Sequence, residues 1–131
     1  MLQNVRFKEY GPIPVNVKQN KVHAITCRQT LFGIHEDKTT LVLFERPRDA
    51  GRFVRCIRND NGYKMYPVQL ETVQVDTMEK ICHLNYFDMY LVYDTLNAPG
   101  GVLRADCYTL RTLDPPQREY INYQLEKYLR S

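Results

Sequence analysis

The chain has 131 residues, of which 44% are hydrophobic and 25% are charged, and its formal net charge is +3. This composition is typical of a packed globular protein rather than a disordered tail, and the length predicts a single domain over residues 1–131. A net charge of +3 is too small to indicate nucleic-acid binding by itself.

The chain lacks the sequence features of membrane insertion and secretion. No apolar run approaches the roughly 20 residues that a membrane-spanning helix needs, and the first residues lack the apolar centre of a signal peptide. We therefore expect an intracellular protein, cytoplasmic or nuclear, that makes no contact with a membrane.

The four cysteines are predicted to be free buried thiols. They lie far apart, mostly inside apolar stretches, and neither Cys-x-x-Cys nor His-x-x-x-His spacing occurs. Small apolar thiols of this kind are usual in reducing compartments, and scattered ligands do not indicate a zinc site. We expect no metal and no cofactor.

The first predicted elements are strands. Gly11-Pro12-Ile13-Pro14 favours an extended or turning connector, because each proline removes a donor and disfavours helix in the residue before it. Residues 21–35 are rich in β-branched and apolar side chains, which favours a strand with a bulge or break near residues 28–30. Residues 39–45 contain consecutive apolar side chains, which would cover both faces of a strand, and this predicts a central strand buried on both faces.

A hairpin is predicted in the middle of the chain. Residues 53–57 and 63–68 read as strands, and they flank Asn59-Asp60-Asn61-Gly62, whose Asn-Gly pair supplies the positive φ angles of a tight turn. At Asp76, an acidic cap is followed three residues later by Glu79, which predicts one or two helical turns.

Two strands and a helix are predicted to end the chain. Residues 86–95 and 102–113 are strand-like, and a cluster of turn formers at residues 97–101 joins them. In the second strand Leu103 and Cys107 are expected to face the core, which places Asp106 on the surface. Asp114-Pro115 then predicts the start of an amphipathic helix at about 115–130.

These elements predict a mainly β fold. Strands joined by short turns favour antiparallel pairing, in a barrel or a two-layer sandwich with a short internal helix and a C-terminal amphipathic helix. The alternative is an α+β open sheet with helices on one face. It would follow if residues 76–85 formed a longer helix.

No catalytic motif is present. The chain has no glycine-rich loop leading into a helix, the arrangement that holds phosphate. None of its three histidines stands at a spacing that would let it activate a cysteine or serine as a nucleophile. A site assembled by the fold, such as His83 with Cys107, is left open, as is a role for Asp88 or Asp94, acids in a predicted strand.

Nucleic-acid binding is one functional hypothesis. Arginines concentrate in residues 46–58, and in the predicted hairpin they would lie beside tyrosines that can stack on bases of a single strand. The weakness is alternation, since Arg55 is expected on one strand face and Arg52 on the other. The candidate nucleic-acid-binding residues are Arg52, Arg55, Arg58, Tyr63, Lys64 and Tyr66.

The favoured hypothesis is a non-enzymatic module that binds a protein partner or self-assembles. Tyrosine and arginine are concentrated at protein interfaces, and an unpaired strand edge would provide a docking strand. Single-stranded nucleic-acid binding is the alternative, and a small enzyme with a fold-assembled site is the third. Compactness, tyrosine and cysteine content and the lack of motifs also fit a small viral accessory protein, a hypothesis from composition alone.

Overall fold

The computed structural model describes residues 4–27, 30–31, 40–58, 68–85 and 87–112. In these residues seven strands form one mixed sheet, and one α-helix packs on each of its faces. The elements are β1 (Val5–Pro12), β2 (Lys21–Cys27), β3 (Thr30–Leu31), β4 (Thr40–Phe44), α1 (Pro47–Arg58), β5 (Val68–Gln74), α2 (Val75–Asn85), β6 (Asp88–Ala98) and β7 (Val102–Leu110).

The sheet is open and mixed. Its strands lie in the order β1-β7-β6-β4-β2. β5 pairs with the whole length of β2, and the short β3 pairs with the last two residues of β2, past the part that pairs with β4. β1 runs parallel to β7, and β4 runs parallel to β6. The expectation of antiparallel pairing throughout is therefore wrong for these two pairs. Within the described residues β1 and β5 do not meet, so the predicted barrel is not confirmed and the open-sheet alternative fits.

The predicted strand at 53–57 is wrong, because these residues belong to α1. Pro47 opens the helix at a position where its missing N–H costs nothing, and Asp49 lies in the first turn, where negative charge is stabilised. Ala50 and Phe53 are fully buried and Val54 is packed against them. The spacing of these three residues is that of one helix face, which outweighs the alternation read from the sequence.

α2 is longer than predicted and covers the opposite face of the sheet from α1. It spans eleven residues, and Val75, Met78 and Cys82 bury a helical stripe against β2, β4 and β6. β5 leads directly into it. The open-sheet alternative rested on a longer helix here, but it placed the helices on one face, whereas α1 and α2 lie on opposite faces.

The sheet is buried on both sides at its centre. All five residues of β4 are buried, as its sequence predicts. Phe44 and Val42 pack with α1, and Leu41 and Leu43 pack with α2, because successive side chains of a strand point to opposite faces. Of the strand predicted over 21–35, the structure describes β2 and β3, which pair antiparallel; residues 28–29 and 32–35 lie outside the described residues.

β6 and β7 form the predicted hairpin. Ala98 pairs with Val102, and Gly100 and Gly101 between them adopt φ angles of +81° and +75°, which favour glycine. Leu103 and Cys107 face the α1 side, as expected. Asp106 faces the other side, but the prediction that it lies on the surface is wrong, since it is 7% exposed.

Several predicted elements lie outside the described residues. They are the hairpin turn at 59–62, most of the strand at 63–68 and the helix at about 115–130. Neither helix of the described residues is long and apolar enough to cross a membrane.

Candidate docking surface

The arginines of α1 are partly engaged at the exposed edge of β6. β4 ends at Phe44, opposite Val92, so the second half of β6 extends past it. There Arg52 donates to the carbonyl oxygen of Thr95 at 3.1 Å. A strand edge leaves backbone groups without a ladder partner, and Arg52 satisfies one of them.

Asp49 is the centre of this contact between α1 and β6. Its carboxylate is fully buried, accepts the Thr95 hydroxyl at 2.5 Å and accepts Nε of Arg46 at 2.7 Å. Arg46 also donates to Asp94 at 2.7 Å. The hydrogen bonds with Asp49 and Asp94 raise the pKa of the Arg46 guanidinium. The network as a whole connects the start of α1 to the sheet.

The predicted nucleic-acid site is only partly described. Arg52 and Arg55 lie on α1 instead of a hairpin strand, with Arg52 held by Thr95 and Arg55 exposed. Arg58 ends the same helix. The other members of the predicted set, Tyr63, Lys64 and Tyr66, lie outside the described residues, so their proximity to the arginines stays a prediction.

The fold does not bring His83 and Cys107 together. His83 is exposed on α2, whereas Cys107 is buried on the α1 side of the sheet. Burial raises the pKa of the Cys107 thiol to about 12, and that of Cys82 likewise to about 12. Both thiols are poor nucleophiles near neutral pH, since the thiolate is the reactive form. Within the described ranges no three His, Cys, Asp or Glu side chains gather as a metal site.

A surface rich in tyrosine and basic residues lies on the α2 side of β1, β7 and the second half of β6, beyond the part of the sheet that α2 covers. We call it the tyrosine face. Cross-strand partners share a face of the sheet, which gives the first two rows of its side chains, and ring contacts give the third. The side chains are Arg6, Arg104 and Leu96 in the first row, Lys8, Asp106 and Asp94 in the second, and Tyr10, Tyr108 and Tyr93 in the third.

The ring of Tyr93 contacts the rings of both other tyrosines. Tyr93 and Tyr108 stack with centroids 4.5 Å apart, and Tyr10 meets Tyr93 edge-on at 5.8 Å. Aromatic pairs in these geometries are attractive beyond the area they bury. Tyr10 is nevertheless 44% exposed, and Leu96 at the other end of the face is 50% exposed. The rings therefore form an ordered apolar surface that solvent still reaches.

The charges beside the rings are mostly basic. Arg104 holds Asp106 through both carboxylate oxygens, at 2.8 and 3.2 Å, and donates to the Tyr10 hydroxyl at 3.2 Å. Lys8 lies over the Tyr10 ring, 5.2 Å from its centroid. Partial burial and the nearby Asp106 raise the pKa of Tyr93. With Asp106 paired to Arg104 and Asp94 paired to Arg46, the exposed Arg6 and Lys8 give this surface a positive character.

A second charged cluster lies where β7 ends and β6 begins, beside Glu9 of β1. Arg111 donates to Asp88 at 2.9 Å, forms a hydrogen bond with Glu9 and lies over the Tyr90 ring. Burial, followed by a hydrogen bond with Glu9, raises the pKa of Tyr90 to about 12. Asp88, singled out from the sequence as an acid in a strand, is thus held in an ion pair.

Sequence reasoning missed the tyrosine face because its members are distant in the chain. Tyr10, Tyr93 and Tyr108 come from three strands, and no linear pattern joins them. The available signal was the alternation of Arg6 and Lys8 with Val5 and Phe7 in β1, which is typical of a strand with one face at the surface. Comparison with protein-family models, with curated proteins and with solved structures found no match to this chain.

Proposed function

We propose that this protein is a non-enzymatic binding module that docks an acidic segment of a partner protein on its tyrosine face. The observation that carries the proposal is the meeting of three tyrosine rings from three strands beside the exposed Arg6 and Lys8. Tyrosine supplies contact area at a low entropy cost and is concentrated, with arginine, in the residues that dominate binding energy.

Charge complementarity selects the chemistry of the partner. The basic residues of the first two rows attract carboxylates, and the tyrosine rings with the half-exposed Leu96 provide an apolar surface for side chains beside them. β1 adds a further feature, since in the described residues it pairs with β7 on one side only. An extended segment could therefore pair with the edge of β1 and place alternate side chains on the tyrosine face.

Single-stranded nucleic acid is the second candidate, favoured by the same proximity of rings and basic side chains. Two features of the face make it the weaker one. A phosphate backbone needs several basic side chains along its path, but Arg104 is already engaged with both carboxylate oxygens of Asp106. The rings of Tyr93 and Tyr108 also stack on each other, which occupies one surface of each that a base would use.

The test is a selection of displayed random peptides on the immobilised full chain, followed by anisotropy measurements with the synthetic peptides. We expect peptides that combine acidic and apolar residues and bind with dissociation constants on the order of 10 μM. The variant Tyr10→Ala/Tyr93→Ala should weaken binding about tenfold or more, since interface tyrosines often contribute more than 1 kcal/mol. The control Arg55→Ala alters an exposed residue on the opposite helix and should leave binding unchanged.

Three results would overturn the proposal. Peptides that bind the tyrosine variant as tightly as the wild type would place docking elsewhere. Saturable binding of single-stranded oligonucleotides, lost in the tyrosine variant and steeply weakened by salt, would assign the face to nucleic acid. A dimer in sedimentation equilibrium that dissociates in the tyrosine variant would assign it to a second copy of the chain.

A further inference from the structure

The outer face of α1 carries a row of arginines. Arg48, Arg52 and Arg55 follow the i, i+4, i+7 spacing that places side chains on one face of a helix. This face points away from the sheet, because Ala50 and Phe53, on the other side of the helix, are fully buried. We call Arg48, Arg52 and Arg55 the arginine row.

The charges of the arginine row are not neutralised by carboxylates. Asp49, the acid of α1, is buried and pairs with Arg46, and Asp94 pairs with Arg46 as well. In the part of the chain that the structure describes, no carboxylate lies at ion-pair distance from a member of the row. Arg52 donates through Nη1 to the neutral carbonyl of Thr95, which positions its guanidinium without cancelling the charge and leaves Nε and Nη2 for an anion.

Gly51 lies on the same face, three residues after Arg48 and four before Arg55, and leaves the helix backbone bare there. A methyl group added at Gly51 would meet no atom within 4 Å, so packing does not require glycine, and its φ angle is not positive. Glycine inside a helix lowers stability relative to alanine. A partner whose backbone approaches the helix closely at this point would explain a position without a side chain.

The composition of the outer face favours nucleic acid over an acidic protein. Besides arginine it contains Pro47 and Gly51, so it offers no large apolar anchor of the kind that dominates protein interfaces. Guanidinium groups match phosphate through paired N–H donors, and α1 contains no lysine. The aromatic residue of α1, Phe53, is buried and cannot stack on a base, which favours the phosphates of a duplex over a single strand.

We propose that the arginine row binds the phosphate backbone of double-stranded nucleic acid without reading its sequence. The row spans about 10 Å at 1.5 Å per residue, and successive phosphates of one strand advance about 3.4 Å along the duplex axis, so the row can face about three of them. Gly51 lets the backbone approach between the guanidinium groups. The proposal is independent of the tyrosine face, because α1 covers the opposite side of the sheet.

The test is fluorescence anisotropy of labelled DNA and RNA duplexes of about 20 base pairs with the full chain, across salt concentrations of about 25–200 mM. Saturable binding of either duplex supports the proposal, and the pair shows which one is preferred. We expect a dissociation constant on the order of 10 μM at low salt. The logarithm of the association constant should fall with the logarithm of salt concentration with a slope of about −3, since each phosphate contact contributes about −0.9.

Variants at exposed positions connect the binding to the row. Arg48→Gln/Arg55→Gln should weaken binding about tenfold or more and reduce the slope to about −1. Arg55→Gln alone should weaken binding about threefold, whereas the control Lys80→Gln, which removes the same charge from the exposed side of α2, should change neither affinity nor slope. Gly51→Gln should weaken binding about threefold although glutamine favours the helix, because its side chain fills the gap.

Four results would overturn the proposal. They are the absence of saturable duplex binding at about 25 mM salt, equal losses in Arg55→Gln and Lys80→Gln, tighter binding of a single strand than of the duplex, and equal competition by poly-L-glutamate at the same charge concentration. Unchanged affinity in Gly51→Gln would refute the close approach of the backbone to α1.

Discussion

Replacing Asp49 tests whether the network between α1 and β6 holds the helix in place. The Thr95 hydrogen bond is fully buried and is expected to contribute about 2 kcal/mol, within the range for hydrogen bonds to charged groups. The bond from Arg46 is expected to contribute about 1 kcal/mol, because that side chain is 43% exposed and its charge is screened by solvent. Asp49→Ala should therefore lower the free energy of unfolding by about 3 kcal/mol.

A double-mutant cycle isolates the buried bond. Thr95→Val keeps the shape of the side chain, removes the hydroxyl and should cost about 2 kcal/mol. Since both variants remove the same bond, Asp49→Ala/Thr95→Val should cost only about 3.5 kcal/mol, a coupling of about 1.5 kcal/mol. Urea unfolding followed by circular dichroism, at an unchanged m value, measures each term.

The matched control is Asp76→Ala. Asp76 also lies in the first turn of a helix, α2, but its hydrogen bond to the N–H of Thr77 is exposed, and its loss should cost at most about 1 kcal/mol. If Asp49→Ala costs no more than Asp76→Ala, or if the two changes of the cycle add, the reasoning that burial makes Asp49 central to the fold is refuted.

Three further predictions concern the backbone, the core and a thiol. Gly100→Ala should cost about 1–2 kcal/mol in unfolding experiments, because φ is +81° there, whereas Gly51→Ala within α1, where the added methyl meets no atom within 4 Å, should stabilise by about 0.5–1 kcal/mol. Phe53→Ala should cost about 3–5 kcal/mol and Arg55→Ala less than about 0.5 kcal/mol; similar costs would contradict their placement on opposite sides of α1. Burial raises the pKa of Cys107 to about 12, so alkylation at pH 8, followed by mass spectrometry of its peptide, should be far slower in the native protein than in urea, and equal rates would contradict its burial.

The same thiol also predicts how stability changes at high pH. Its pKa is about 12 in the native protein against the ordinary value of 9.0. The native state therefore keeps its proton where the unfolded state has lost it. This contribution is fully present below pH 9 and is lost as the pH rises toward 12.

Local signals in the sequence determined most of the strands. The apolar run of β4, the glycine turn between β6 and β7, and the alternation of Leu103 and Cys107 depend on residues close together in the chain, and the structure confirms each of them. At 53–57 the local signal was ambiguous. An Asn-Gly pair favoured a hairpin, while the spacing of Ala50 and Phe53, with Pro47 before them, fits a helix.

The tertiary structure alone decided the pairing of the strands and the candidate sites. Parallel pairing of β4 with β6 depends on two connecting helices and leaves no mark within either strand. The tyrosine face joins residues of strands that are distant in the chain, and hydrophobic periodicity reports which side chains are buried but not which distant strands are neighbours. The arginines and tyrosines that the sequence pointed to, Arg52, Arg55, Arg58, Tyr63 and Tyr66, are not those of the tyrosine face, because long-range strand pairing brings Tyr10, Tyr93 and Tyr108 together without any local signal.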